Sequence, residues 1–454
     1  MQLIAPADQM FVVPETRETP MHVGGLQLFA LPPGADDDYV AQVYRQVLQT
    51  TAIAPAFRKR LHRSVATLGQ WTWVDDEDVD LEHHVRLSAL PKPGRVRELL
   101  ALVSRLHGTL LDRSRPLWEA HLIEGLEGDR FAVYTKVHHA MMDGISAMRL
   151  LERSMSTDPD ERGIGAPFEE RPSTRTKAPG GGLLSVPGAA LGTVTDLVGL
   201  TPRIAQIAVD ALRRQSATLP MTAPKSILNT TISGSRRFAA DDWPLARIKA
   251  VAKGAEATVN DVVLAMCSGA LRRYLVDHDA LPGSSLTAMT PVSLRAADDE
   301  GGGNAVGSIL CSLGTDLDDA EERMQHIQAS MRAAKQTLSG LNQTQVTALS
   351  AAVMAPLALQ MVGALGNAAP PPFNIIISNV PGPSKKLYWN GARMVGHYPL
   401  SIPTHGQALN ITVTSYDGDL QFGLTGCRKS VPHLQRLLTY LDESLVELEK
   451  AFTQ

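Results

Sequence analysis

Apolar residues recur along this chain with two periods, and the switches between them mark out its elements. Val96, Leu99, Leu100, Val103, Leu106 and Leu110 fall on one face at helical spacing, so residues 95–110 are predicted as an amphipathic helix. Residues 39–50 and 56–63 also read as helical, and a short helix-like start precedes a strand over 22–29. Residues 70–74 form a short strand. Residues 118–124 and 131–137 are rich in β-branched and aromatic side chains, and the turn residues 125–129 join them as a hairpin. Further on, 243–253, 259–275, 318–336 and 431–452 are helical, while 287–294 and 373–380 are strands. Asp417-Gly418 turns 408–416 back onto 420–426. Strands and helices do not alternate regularly, so a mixed α+β sandwich is the expected class.

Length adds a division. At 454 residues the chain exceeds one typical core. From about Asp158 to Gly182 the composition shifts to Pro, Gly, Thr and charge, as a linker does. The expected organisation is an N-terminal domain over 1–157, a flexible and then helical linker over 158–227, and a C-terminal domain over 228–454. Within the linker, 183–214 is apolar and amphipathic. It reads as a helical bridge between domains, or as an interfacial helix using Arg203, Arg213 and Arg214 beside its apolar face.

The chemistry concentrates where the 131–137 strand stops. His138-His139 follow it at once, then Asp143-Gly144, and Ile145, Met148, Leu150 and Leu151 resume at helical spacing. Adjacent strand residues point to opposite faces, so one imidazole is expected to face a cavity and the other to pack inward. An imidazole can remove a proton near neutral pH. Asp143 is placed to hold the loop, and Gly144 allows a tight, left-handed turn. A plain core or surface role is the competing reading, and a second pair, His83-His84, lacks the Asp-Gly that follows the first. Diverging histidines with no third ligand at helical spacing do not suit a metal.

The full pattern H-H-x-x-x-D-G resembles the signature of the CoA-dependent and carrier-dependent acyltransferases. Within that superfamily the chain is most similar to the bacterial wax ester synthase/diacylglycerol acyltransferase family. The residues that carry the resemblance run nearly end to end: Pro20-Met21-His22-Val23-Gly24-Gly25, Arg115-Pro116-Leu117-Trp118-Glu119, 258–265 (TVNDVVLA), Pro291-Val292-Ser293-Leu294-Arg295 and 378–383 (SNVPGP). The resemblance implies two chloramphenicol-acetyltransferase-like mixed-sheet domains joined by a linker, with an active-site tunnel between them. It also implies transfer of a long-chain acyl group from acyl-CoA to a fatty alcohol or diacylglycerol, without a cofactor. The second histidine, His139, is the expected general base, and His138 orients the loop. Asn260 is the candidate oxyanion donor, and Asp261 is its neighbour in the implicated pair. Asp143 is expected to ion-pair with Arg295, with Gly144, Pro116, Leu117 and Trp118 in support. The D-F-G-W-G motif of other branches is missing, which argues against a condensation domain.

Composition sets the remaining expectations. A net charge of −4 with no basic block argues against a nucleic-acid partner. Three scattered cysteines and no basic head before an apolar run suggest the cytoplasm, with peripheral contact to a membrane face or lipid inclusion left open. The uncharged stretch 346–366 is Ala-rich and interrupted by Pro356 and Gln360. It reads as buried helices lining an apolar cavity rather than a membrane span. Two other classes remain: an acyltransferase of polyketide or peptide lipid synthesis served by CoA or a carrier protein, and a non-catalytic lipid-surface protein.

Overall fold

The computed structural model describes residues 2–4, 6–67, 69–170, 221–293, 306–339 and 370–453, with a few positions between 346 and 357. The elements in chain order begin with β1 (Gln2–Leu3), α1 (Pro6–Val12), β2 (His22–Ala30), α2 (Tyr39–Leu48), β3 (Lys59–Arg63) and β4 (Trp71–Asp75). Then come α3 (Leu81–His84), β5 (Val85–Ala89), α4 (Val96–His107), β6 (Trp118–Leu126), β7 (Arg130–His138) and α5 (Gly144–Arg153). After the linker follow β8 (Arg236–Pro244), α6 (Leu245–Gly254), α7 (Val259–Val276), β9 (Thr287–Ser293), β10 (Val306–Ser312) and α8 (Ala320–Ser339). The chain closes with β11 (Ile375–Val380), β12 (Tyr388–Trp389), β13 (Ala392–Leu400), β14 (Leu409–Tyr416), β15 (Asp419–Cys427) and α9 (Arg436–Phe452).

Two six-stranded mixed sheets dominate, in the orders β12-β13-β2-β7-β6-β5 and β10-β9-β11-β14-β15-β8. The first sheet packs one face on α2 and α5 and the other on α4, which separates two apolar clusters around Phe131 and Tyr134. The second sheet is covered by α6, α7, α8 and α9 in one continuous core. Helix α7 is buried nearly all round from Val262 to Leu271, as its unbroken apolar run requires.

One strand ties the sheets together. β13 lies late in the chain yet pairs antiparallel with β2, from Leu400 opposite Gly24 to Arg393 opposite Ala30. It also presses on the second sheet so closely that a Cβ on Gly423 would lie 1.8 Å from the Pro399 carbonyl oxygen. The stretch 228–454 therefore contributes to both sheets.

Residues 56–63 depart from the helical expectation. A short 3₁₀ turn over Pro55–Arg58 gives way to β3, which pairs with β4 from Lys59 opposite Asp75 to Arg63 opposite Trp71. The alternation of Leu61, buried, with more exposed neighbours suits a strand, and pairing with β4 satisfies its backbone. The 417–418 hairpin is as the Asp-Gly pair demands, with φ of 45° and 94° at Asp417 and Gly418. The amphipathic stretch 183–214 of the linker, with its three arginines, lies outside the described residues. So does most of 346–366, of which Val353 and Leu357 are buried against Met289, Leu310 and Phe373. No helix among the described residues is long and apolar enough to cross a membrane.

Candidate active site

The first sheet ends at one edge in His22 and His138, which pair directly. The His138 backbone N–H donates to the Leu117 carbonyl at 2.9 Å, and that of His139 to the Met21 carbonyl at 2.8 Å. The two imidazoles then diverge. His138 is fully buried; its Nδ1 accepts the Ala140 backbone N–H at 3.1 Å, which leaves the ring proton on Nε2. That Nε2 faces the Glu15 carboxylate at 3.5 Å. Glu15 also accepts the Met21 N–H at 2.8 Å and two Arg113 donors at 2.9 and 3.1 Å. Burial pushes the Glu15 pKa up, but His138, the Met21 N–H and Arg113 outweigh it and hold the carboxyl below its ordinary range.

His139, the first residue of the turn after β7, keeps part of its surface exposed. Its ring stacks on Phe11 of α1 with centroids 4.0 Å apart and planes 15° apart. Burial, aided by neighbouring His138, brings its pKa down to about 4 against the pull of its own backbone and of Asp143. At neutral pH it is an uncharged imidazole able to accept a proton.

Asp143 caps α5, its side chain accepting the Ser146 N–H at 2.7 Å. The nearby Asp143 charge adds to burial in raising the pKa of Asp8 on α1. The expected pairing with Arg295 lies outside the described residues. Gly144 is not in the left-handed region, contrary to expectation. Its role is contact: a methyl placed there would sit 3.9 Å from Cγ2 of Val380, at the end of β11. The edge of the second sheet where β11 ends thus meets the N-terminus of α5.

Asn260 and Asp261 stand apart from this cluster, in the first turn of α7. Asp261 completes a capping box with Thr258, accepting its N–H at 2.9 Å and its hydroxyl at 2.7 Å. Asn260 is half-buried and its side chain makes no hydrogen bond to a described residue. Helix α7 runs alongside β10 in the same direction: Asp261 acts on Cys311, Ser268 donates to the Leu313 carbonyl and Arg272 to that of Thr315. Its N-terminus therefore points toward Val306, which pairs with Ser293, and β11 ends at this same edge of the sheet.

The 116–118 motif is a buttress. Leu117 and Trp118 are buried, the Trp118 indole donates to the Phe57 carbonyl, and Pro116 bridges to Arg60. The second histidine pair is also structural, with His84 stacked on Trp118 at 4.4 Å. Sequence reasoning missed Glu15, Phe11 and Asp8. They lie in and just after the short helix-like start, and only their fold-dependent approach to the histidines marks them. No group of His, Cys, Asp and Glu among the described residues is arranged to hold a metal ion.

The profile of the wax ester synthase/diacylglycerol acyltransferase catalytic domain matches residues 4–263, and that of the family's C-terminal domain matches 302–449. The chain belongs to this family. A probable diacylglycerol O-acyltransferase of Mycobacterium tuberculosis (strain ATCC 25618 / H37Rv) is 51% identical over 452 residues, covering 99% of each chain. The wax ester synthase/diacylglycerol acyltransferase of Marinobacter aquaeolei VT8 superposes with a TM-score of 0.78 at 44% identity, covering 99% of both chains. The first condensation domain of the calcium-dependent antibiotic synthetase shares the fold, with a TM-score of 0.57 at 14% identity over 100% of this chain and 97% of that one. Like its family, the protein is an acyltransferase, built on two mixed sheets with the histidine loop at the edge where they meet.

Proposed function

We propose that the protein transfers a long-chain fatty acyl group from acyl-CoA to a fatty alcohol or a diacylglycerol, with His139 as general base. The observation that carries this reading is the divergence of the two histidines. His138 is fully buried, accepting the Ala140 N–H and facing the Glu15 carboxylate, while His139 is uncharged, partly exposed and held by its stack on Phe11.

An acceptor hydroxyl placed against His139 gives up its proton as its oxygen attacks the thioester carbonyl. The tetrahedral intermediate then expels the CoA thiolate, which takes the proton back from His139. No acyl-enzyme is required, because a thiolate leaves readily. Proton transfer of this kind contributes about 10²–10⁴-fold, and holding alcohol and thioester in line supplies much of the rest. Asn260 is the assigned oxyanion donor, supported by its free amide and by the direction of α7. Asp143, by capping α5, keeps the loop in place. The substrates are lipids, so the enzyme works in peripheral contact with a membrane or lipid inclusion.

The test is CoA release by purified protein given palmitoyl-CoA with hexadecanol or a diacylglycerol, with lipid products separated. Ester formation by wild type that is lost in His139→Ala supports the reading. Ester formation that survives the substitution removes His139 as the base. No release with either acceptor removes the long-chain donor.

A further inference from the structure

Among the described residues, six large apolar side chains are exposed, and their distribution is uneven. Val96 and Val276 stand singly on α4 and α7. The other four, Leu3 (58% exposed), Met10 (38%), Val13 (61%) and Val65 (93%), belong to the N-terminal segment and the small sheet it joins, β1-β4-β3. Single exposed valines need no explanation, but a group of this kind does.

The backbone brings Leu3, Val13 and Val65 to the end of the sheet that holds Trp71, with Leu3 on the face opposite the Trp71 ring. Leu3 pairs with Thr72, the Ile4 N–H donates to the Trp71 carbonyl, and the 64–70 turn that carries Val65 leads straight into Trp71. The guanidinium groups of Arg63 and Arg113 both lie 5.5 Å from the centre of the Trp71 ring. Arg113 also donates to the Val12 carbonyl at 2.8 Å, which brings Val13 to the same end of the sheet. An aromatic ring between two arginines, beside exposed aliphatic side chains, suits the boundary between headgroups and acyl chains.

The charges are polarised along the hairpin. From Arg60 to Val74 it carries Arg60, Arg63 and His62 and no acid, whereas Asp75, Asp76, Glu77 and Asp78 follow at the far end. The tip would be drawn to a negative surface and the base held off it. The patch is also continuous with the active site, because Phe11 of α1 and Trp71 pack against the same apolar cluster around Leu61, and Phe11 also stacks on His139.

We propose that this end of the small sheet, with Val13, Val65 and Arg63 on the side of Trp71 and Leu3 on the opposite face, docks the protein on an anionic phospholipid surface and places the His139 loop beside it. The proposal deepens the lipid-ester reading and rests on it. An acidic carrier protein would also meet the arginines, but it has no use for a tip whose outermost side chain is Val65.

The test is co-sedimentation of the full-length protein with sucrose-loaded vesicles of phosphatidylcholine alone or of equimolar phosphatidylcholine and phosphatidylglycerol. Wild type is expected to sediment with the anionic vesicles and to be released by salt. Leu3→Glu/Val65→Glu and Arg63→Glu are expected to lower partitioning by roughly tenfold or more, while Val276→Glu leaves it unchanged. Circular dichroism checks that each variant is folded. Wild type that ignores anionic vesicles overturns the proposal, as do tip variants that bind like wild type or a Val276→Glu that loses as much. CoA release in detergent micelles, measured on the same samples, separates the two readings. Binding without release discards the acyl-transfer reading alone, and release without binding discards the docking surface alone.

Discussion

Oε1 of Glu15 lies 3.5 Å from Nε2 of His138, and the opposite ring nitrogen of that histidine receives the Ala140 N–H. The carboxylate therefore fixes the tautomer of one histidine, and through it the backbone turn that carries the next. Glu15→Gln keeps the shape but removes the charge. It is expected to lower kcat by about tenfold to a hundredfold, the range found for groups that orient functional histidines, with KM for acyl-CoA little changed. Steady-state kinetics beside a melting curve would show it, and a wild-type kcat in a folded variant would release Glu15 from this role.

Phe11 stacks on His139 and so contributes to the burial that keeps its imidazole uncharged. If His139 is the base, kcat/KM falls as pH drops through about 4, the value to which burial brings this imidazole. Phe11→Ala lets water reach the ring, so the protonated form becomes easier and the acid limb moves up toward about 6.5. A limb that stays in place would mean that another group controls it.

Several buried histidines resist protonation, and stability should record it. His397 and His107 are held uncharged by burial at about 4 and about 3, and His139 at about 4. The unfolded imidazoles titrate near 6.5 and bind protons that the folded ones refuse. Folding stability is therefore full above about 6.5 and declines as pH falls toward 4, by on the order of 3 kcal/mol for His397 alone. Urea unfolding between these limits measures the slope, and a flat profile would contradict the burial of these rings.

Gly144 is a contact position, so size alone should matter there. Gly144→Ala places its methyl 3.9 Å from Val380, an ordinary contact, and should leave activity within a few-fold. Gly144→Val adds two further methyl groups at this junction and should lose at least tenfold, by prising the α5 terminus from β11. Equal losses in both would point instead to backbone conformation.

How much of this could be read beforehand depends on the range of the interaction. The HHAMMDG loop was legible because strand end, histidines, cap and helix are contiguous, and Asp143 and Thr258 sit where capping chemistry puts them. Glu15 and Phe11 were not, because nothing local distinguishes one acid or one ring near a short helix-like start from its neighbours. Residues 59–63 misled because Phe57, Arg60 and Leu61 mimic helical spacing, whereas pairing with Trp71–Asp75 decides the outcome. The partner of β2 was invisible for the same reason: contacts between residues 24 and 400 leave no periodicity.

That late partner sets a schedule for the molecule's birth. Residues 22–30 and 130–138 leave the ribosome early and can pair at once, yet the other edge of β2 waits for residues 392–400. Until then the nascent chain carries an open strand edge, of the kind that recruits foreign strands. A fragment ending before β12 holds both histidines and most of the first sheet but keeps that edge unclosed. Attempts to express the histidine-bearing half alone should yield aggregates, and supplying the remainder of the chain in trans should rescue solubility by delivering β13.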